Sequence, residues 1–125
     1  MTPESQYHLL VDALRLVAAP AKEQLSLLPD FVCVTDEVAT TFGDAYLLVP
    51  QLKHAGLVSP EAALAIGRLD EFFEAMPEDG TLATPESLST HSFWSQARSL
   101  ATEALERMGE EKRSPDLSGI TWVRG

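Results

Sequence analysis

The chain has 125 residues, of which 45% are hydrophobic and 22% are charged, as in a single globular domain. Nineteen acidic residues against nine basic ones give a formal net charge of −10, which disfavours binding to nucleic acid or anionic membranes. The single cysteine excludes an internal disulfide. We expect neither a signal peptide nor a membrane span, and we predict a soluble cytoplasmic protein.

Four similar tripeptides predict helix starts. In each, a hydroxyl residue precedes a proline and an acid, at residues 2–4, 59–61, 84–86 and 114–116. The hydroxyl caps a free backbone N–H, the proline has no N–H to lose, and the acid lies near the positive end of the helix dipole. These starts predict an all-α fold, an irregular bundle of four to five helices with a kinked central helix and an extended C-terminal arm.

In the first part of the chain, apolar spacing predicts a helix over residues 3–18, with Arg15 off the buried stripe and exposed. A short helix over residues 20–28 follows. The apolar run at residues 31–34 favours a short strand or an extended connector. Cys33 lies in this run, and we expect it to be a small buried core residue.

The central segment is predicted to be helical as far as residue 54, with one apolar stripe throughout. Gly43 and Pro50 interrupt it, so we expect a kink or a break near Gly43 and distortion around Tyr46, whose carbonyl would face the proline ring.

Two long helices are predicted in the second part of the chain. The first follows Ser59 and ends before Pro77, and the other covers residues 92–108. A short helical turn over residues 84–88 lies between them.

The predicted domain organisation is a helical bundle over residues 1–109 followed by a linker and C-terminal arm over 110–125. Apolar residues near the C-terminus predict that the arm packs back on the bundle. A two-stranded pairing of residues 120–123 with 31–34 is an alternative.

No residue pattern in the sequence matches a catalytic, metal or nucleotide site. His8, His54 and His91 lie on three different predicted segments, and the glycines form no phosphate-binding loop. Glu4 and His8 are four residues apart, but such a pair is too few ligands for a metal. Cys33 lies in apolar surroundings that disfavour a thiolate. We therefore expect no catalytic residues, no metal and no cofactor.

The most suggestive functional feature is an apolar surplus beside acidic residues. The run from Tyr46 to Val49 is apolar on more than one side, which indicates either a wholly buried helix or a groove or dimer surface. Trp94 points away from the stripe of its helix, so it either packs under the C-terminal arm or anchors an interface. The interface candidates are Tyr46, Leu47, Trp94, Asp70, Glu71 and Glu74.

Three functions fit these observations. The first is a non-catalytic interaction module, similar in kind to an immunity protein or an inhibitor, that binds a more basic partner protein. The second is a homodimeric structural or regulatory module. The third is a small-molecule-binding helical protein or enzyme with a pocket near the kink at Gly43–Pro50, where Tyr46, Asp44 or His54 would lie at its mouth.

Overall fold

The structure, a computed structural model, describes residues 2–29, 32–77 and 80–117. This part of the chain contains seven helices and no strand, which confirms the all-α prediction. The long helices are α1 (Pro3–Ala18), α3 (Val34–Tyr46), α5 (Pro60–Glu74) and α7 (Ser92–Arg107), and the short ones are α2 (Ala21–Leu27), α4 (Val49–His54) and α6 (Ser87–Thr90). None of the helices described has both the length and the apolar character that crossing a membrane requires.

Two of the four predicted helix starts have the expected cap. The side-chain oxygens of Thr2 and Ser59 accept backbone N–H bonds from three residues ahead, at 3.1 and 3.0 Å, which satisfies donors that the first turns of α1 and α5 leave free. At the third, Thr84 accepts the Ser87 backbone N–H at 3.2 Å within a turn, and α6 begins only at Ser87, after Glu86. The fourth tripeptide differs, because no helix follows Ser114 in the described chain and its hydroxyl bonds to the Glu23 carboxylate of α2.

Helix α1 lies at the centre of the bundle. From Leu10 to Ala19 every residue except the half-buried Asp12 is buried, so this half of the helix is enclosed on all sides. α1 packs against α3 on one side and α7 on the other, and α7 packs in turn against α5. The outer helices α3 and α5 contact each other at few points, so the bundle is open along the line between them.

The predicted interruption of the central segment is a break between α3 and α4. α3 continues through Gly43 and ends at Tyr46, a two-residue turn follows, and α4 begins at Val49. Pro50 lies in the first turn of α4, where it has no N–H to offer the Tyr46 carbonyl. The turn leaves the side chain of Leu47 exposed.

The expected strand does not form in the part of its run that the structure describes, residues 32–34. Val34 is already the first residue of α3, and Cys33 is the residue before the helix. The thiol of Cys33 is exposed, so the prediction of a buried core cysteine is wrong, because the chain enters the helix at the surface. The proposed pairing with residues 120–123 lies outside the described residues.

Residues 110–117, which we call the C-terminal strap, lie against α1 and α2. They cover Arg15, which is buried and not exposed as predicted. Its Nε donates to the Glu111 carbonyl at 3.0 Å, and its Nη2 donates to the Glu110 carboxylate at 3.2 Å. The remainder of the predicted arm, residues 118–125, lies outside the described residues.

Candidate functional site

The open side of the bundle is a shallow groove between α3–α4 and α5, which we call the seam. Helix positions three or four residues apart share one face, and two such rows border the seam. The row from α3 and α4 is Asp36, Ala39, Gly43, Tyr46 and Pro50, and the row from α5 is Pro60, Ala63, Gly67, Asp70 and Glu74. The rows run antiparallel, because the Tyr46 hydroxyl near the end of α3 lies over Gly67 in the middle of α5.

One end of the seam is apolar. A depression of about 630 Å³ is lined there by Tyr46, Leu47, Val49, Pro50, Lys53, Pro60, Ala63 and Leu64. Leu47 is 75% exposed and Leu64 is 67% exposed, the highest values among the large apolar side chains of the described residues. Neighbouring apolar side chains that face solvent together are typical of contact surfaces, whereas single ones are common everywhere.

The other end of the seam is acidic. It carries Asp36 of α3 together with Asp70, Glu71 and Glu74 of α5. Asp36 and Glu74 line one depression of about 460 Å³, with Phe73 also in its wall. No base among the described residues forms an ion pair with any of the four. α5 also has no basic residue in its last turn, so its three acids lie at the negative end of its dipole.

Tyr46 lies where the two ends meet. Its ring packs on Phe42, with ring centroids 5.9 Å apart. Partial burial and then the charges of the three α5 acids raise the pKa of Tyr46 above its usual value of 10.0. Partial burial, followed by the charges of Glu74 and Glu71, likewise raises the pKa of Asp70. The charges of Glu71 and Glu74 therefore oppose the ionisation of Asp70, and a bound cation would relieve that repulsion.

The structure brings five of the six predicted interface residues to the seam. These five are Tyr46, Leu47, Asp70, Glu71 and Glu74. Trp94 is the exception, because it is only 1% exposed. Its Nε1 donates to the Ser87 hydroxyl at 3.2 Å and lies 3.4 Å from the Leu82 carbonyl oxygen. Trp94 is thus a core residue beneath the segment before α7 and not an exposed anchor.

Sequence reasoning missed Leu64 and the two glycines of the seam. Leu64 lies two residues from both Ala62 and Ile66, which are buried, and a two-residue step turns a helix by about 200°. The helical spacing alone could therefore have predicted that Leu64 is an apolar residue on the solvent side of its helix. Gly43 and Gly67 became informative only once their helices were seen side by side.

The residues considered for catalysis have other positions. His91 caps α7, where its Nδ1 accepts the Phe93 backbone N–H at 3.0 Å. His8 and His54 are exposed on α1 and α4, and neither Asp44 nor His54 lines the apolar depression. Within the described ranges, no three His, Cys, Asp or Glu side chains are grouped so that they could hold a metal ion.

Comparison with known proteins identifies no relative. No protein-family model matches the chain, and neither the curated proteins nor the solved structures contain a significant match. A functional conclusion therefore has to come from the seam and from the distribution of charge.

Proposed function

We propose that this protein is a non-catalytic interaction module that binds a more basic partner protein through the seam, as an immunity protein or an inhibitor would. The observation that carries the proposal is that one groove has two exposed leucines at one end and, at the other, four carboxylates that form no ion pair with a described base. Apolar anchors supply affinity in protein interfaces, and complementary charge supplies specificity and a fast association rate.

The location of the bases supports this proposal. Arg68 and Arg107 lie 3.0 and 3.6 Å from Glu103 of α7, and Arg15 is paired with Glu110 of the strap. All these ion pairs involve α1, α7 or the strap. None of them involves Asp36, Asp70, Glu71 or Glu74, so these four acids are available to the bases of a partner.

Self-association through the seam is the second candidate, and the exposed Leu47 and Leu64 favour it. In a two-fold dimer the same patch is present on both subunits, so the acids of one copy would lie near those of the other. This repulsion makes a basic partner the better fit. Light scattering at high micromolar concentration tests the alternative. A dimer of the native protein that dissociates in the Leu64→Asp variant would favour self-association.

Two variants of equal charge test the proposal. The seam variant carries Asp70→Asn, Glu71→Gln and Glu74→Gln, and the control variant carries Glu4→Gln, Glu86→Gln and Glu106→Gln, all exposed acids outside the seam. Each has three fewer negative charges than the native −10, that is −7. Each protein is immobilised and used to capture partners from a cytosolic extract of its own source, with identification by mass spectrometry.

We expect the native protein and the control to retain the same protein of net positive charge, and the seam variant to lose it. With the purified partner, the association rate should fall with added salt, and more weakly in the seam variant, because fewer charges steer the encounter. Equal retention by both variants, or a rate that salt does not change, would contradict the proposal.

A further inference from the structure

The apolar and acidic parts of the seam are separated along its length. Leu64 and Asp70 are six residues apart on α5, or about 9 Å at 1.5 Å per residue, and Leu64 and Glu74 are about 15 Å apart. Both are distances along the helix axis, and around the helix Leu64 is about 120° from Asp70 and about 80° from Glu74. A segment that fills the seam must therefore carry its apolar and basic side chains in two separate blocks.

Two glycines, Gly43 and Gly67, lie in the middle of the seam. A Cβ built on Gly43 would have no atom within 4 Å, and one on Gly67 would meet only the Tyr46 hydroxyl, at an ordinary contact distance of 3.7 Å. Glycine inside a helix costs about 0.5–1 kcal/mol relative to alanine. Packing within the described residues does not require either glycine. The space over Gly43 is open, so a second backbone could approach closely there, whereas the Tyr46 hydroxyl already lies over Gly67.

From these observations we infer that the seam receives an α-helix of the basic partner, laid lengthwise, with apolar side chains over Leu47 and Leu64 and Lys or Arg side chains over the acids of α5. The inference rests on the proposed function and specifies its partner. From Asp36 to Tyr46 alone, α3 offers about 15 Å of surface. Grooves between helices commonly bind amphipathic helices in this way.

Lys53 supports the charge arrangement of this helix. It lines the apolar depression, at the end of the seam remote from the α5 acids. The charged residues along the seam therefore change from four acids at one end to one base at the other. A helix with bases at one end only matches this change, and one with bases along its whole length would face Lys53 with like charge.

Two synthetic helices of the same composition test the inference. Both are about 18 residues long and cross-linked to be helical, so that they exceed the length of the seam. In the block peptide, leucines occupy one half of a face and lysines the other half, and in the mixed peptide the two alternate along that face. Affinities for the full-length protein are measured by calorimetry at low salt.

We expect the block peptide to bind about tenfold more tightly than the mixed one, because only it places both blocks over their partners. Gly43→Gln should weaken block-peptide binding by about tenfold, since its side chain enters the space above the seam. The matched control is Ser99→Gln on the exposed face of α7, which should bind like the native protein. Gly43→Ala provides a smaller change of the same direction if the glutamine variant folds poorly.

Several outcomes would overturn the inference. Equal affinity for the two peptides, no binding of either, or native affinity in both Gly43 variants would show that no helix lies along the seam in this way. The proposed function would still stand if the seam charge variant lost its captured basic partner while the control variant kept it. If the seam variant and the control variant also captured the partner equally, both the helix inference and the proposed function would be wrong.

Discussion

The strap side of the bundle and the seam differ in whether their acidic residues have basic partners. Under the strap, Arg15 is 6% exposed and bonds to the Glu110 carboxylate and the Glu111 carbonyl. In the seam, the acids of α5 have no basic partner among the described residues, and the pKa of Asp70 is raised. The described ion pairs are therefore unevenly distributed, because Arg15 pairs with acids under the strap and none of the pairs involves an acid of the seam.

This difference indicates which side contributes to folding and which is available for binding. Ion pairs that are shielded from water and hydrogen-bonded stabilise a fold when both partners are present. Like charges grouped at the C-terminal end of a helix oppose folding. The same substitution should therefore have opposite effects on the two sides, and the following predictions use that contrast.

The largest effect is expected at the strap. Arg15→Ala should lower the free energy of unfolding by about 2–3 kcal/mol, because it removes the cation paired with the Glu110 carboxylate and the donor to the Glu111 carbonyl. We place it below the range for fully buried pairs, since the Glu110 side chain is 29% exposed and partly screened. Urea unfolding followed by circular dichroism measures the change.

Arg15→Met is the matched variant, because it keeps most of the aliphatic packing and removes only the charge and the donors. It should be as destabilising as the alanine variant, or slightly less. A loss below about 0.5 kcal/mol in both variants would show that the strap contributes as little as an ordinary surface ion pair.

Arg15 also shows the limit of what the sequence predicts. The caps at Thr2 and Ser59, and the break before Pro50, follow from local backbone chemistry and were predicted. The burial of Arg15 was not, because it depends on a strap that approaches from about 95 residues away in the chain. Apolar periodicity identifies one buried face and cannot show that a central helix is enclosed on all sides.

The seam was predictable only in its parts. The apolar run at Tyr46 and the acids at Asp70 and Glu74 were each visible as sequence features. Their proximity depends on which faces of α3 and α5 turn toward each other across the bundle, a tertiary fact that no local pattern contains. The prediction that Cys33 is buried was wrong because it relied on a local pattern alone. The apolar run around Cys33 leads into a helix at the surface, where the thiol is exposed.

A second prediction concerns alkaline pH on the strap side. Burial, the hydrogen bond from the Tyr7 hydroxyl to Glu110 and the Glu110 charge raise the pKa of Tyr7 to about 12. Because the folded state favours the neutral phenol, this stabilisation is fully present below pH 10 and is lost as the pH rises through 12. Absorbance titration of tyrosinate should show one ionisation near pH 12.

The variant Tyr7→Phe should lose that ionisation and the associated fall in stability, measured by urea unfolding between pH 9 and 12. The other tyrosine available for comparison is Tyr46, whose pKa is also raised but by burial and by the acids of the seam. Tyr46→Phe should leave the ionisation near pH 12 in place. If it removed that ionisation instead, the assignment to the strap would be wrong.

The smallest expected effect is the one that separates the two sides most directly. A folded-state pKa of Asp70 above the unfolded value means that the associated stabilisation is present below the unfolded pKa and is lost as the pH rises through the folded value. At neutral pH the carboxylate therefore opposes folding. Asp70→Asn should raise the free energy of unfolding by about 0.3–0.5 kcal/mol, because it removes like-charge and dipole repulsion on α5.

The matched substitution on the strap side is Asp12→Asn. Asp12 lies 3.7 Å from the Arg15 guanidinium and accepts the Asp116 backbone N–H at 3.0 Å. The amide can keep the hydrogen bond but not the ion pair, so stability should fall by about 0.5–1 kcal/mol. Opposite signs in urea unfolding at neutral pH would show that these carboxylates favour folding on one side and oppose it on the other. The same sign in both variants would mean that position on the bundle does not determine what a charge contributes.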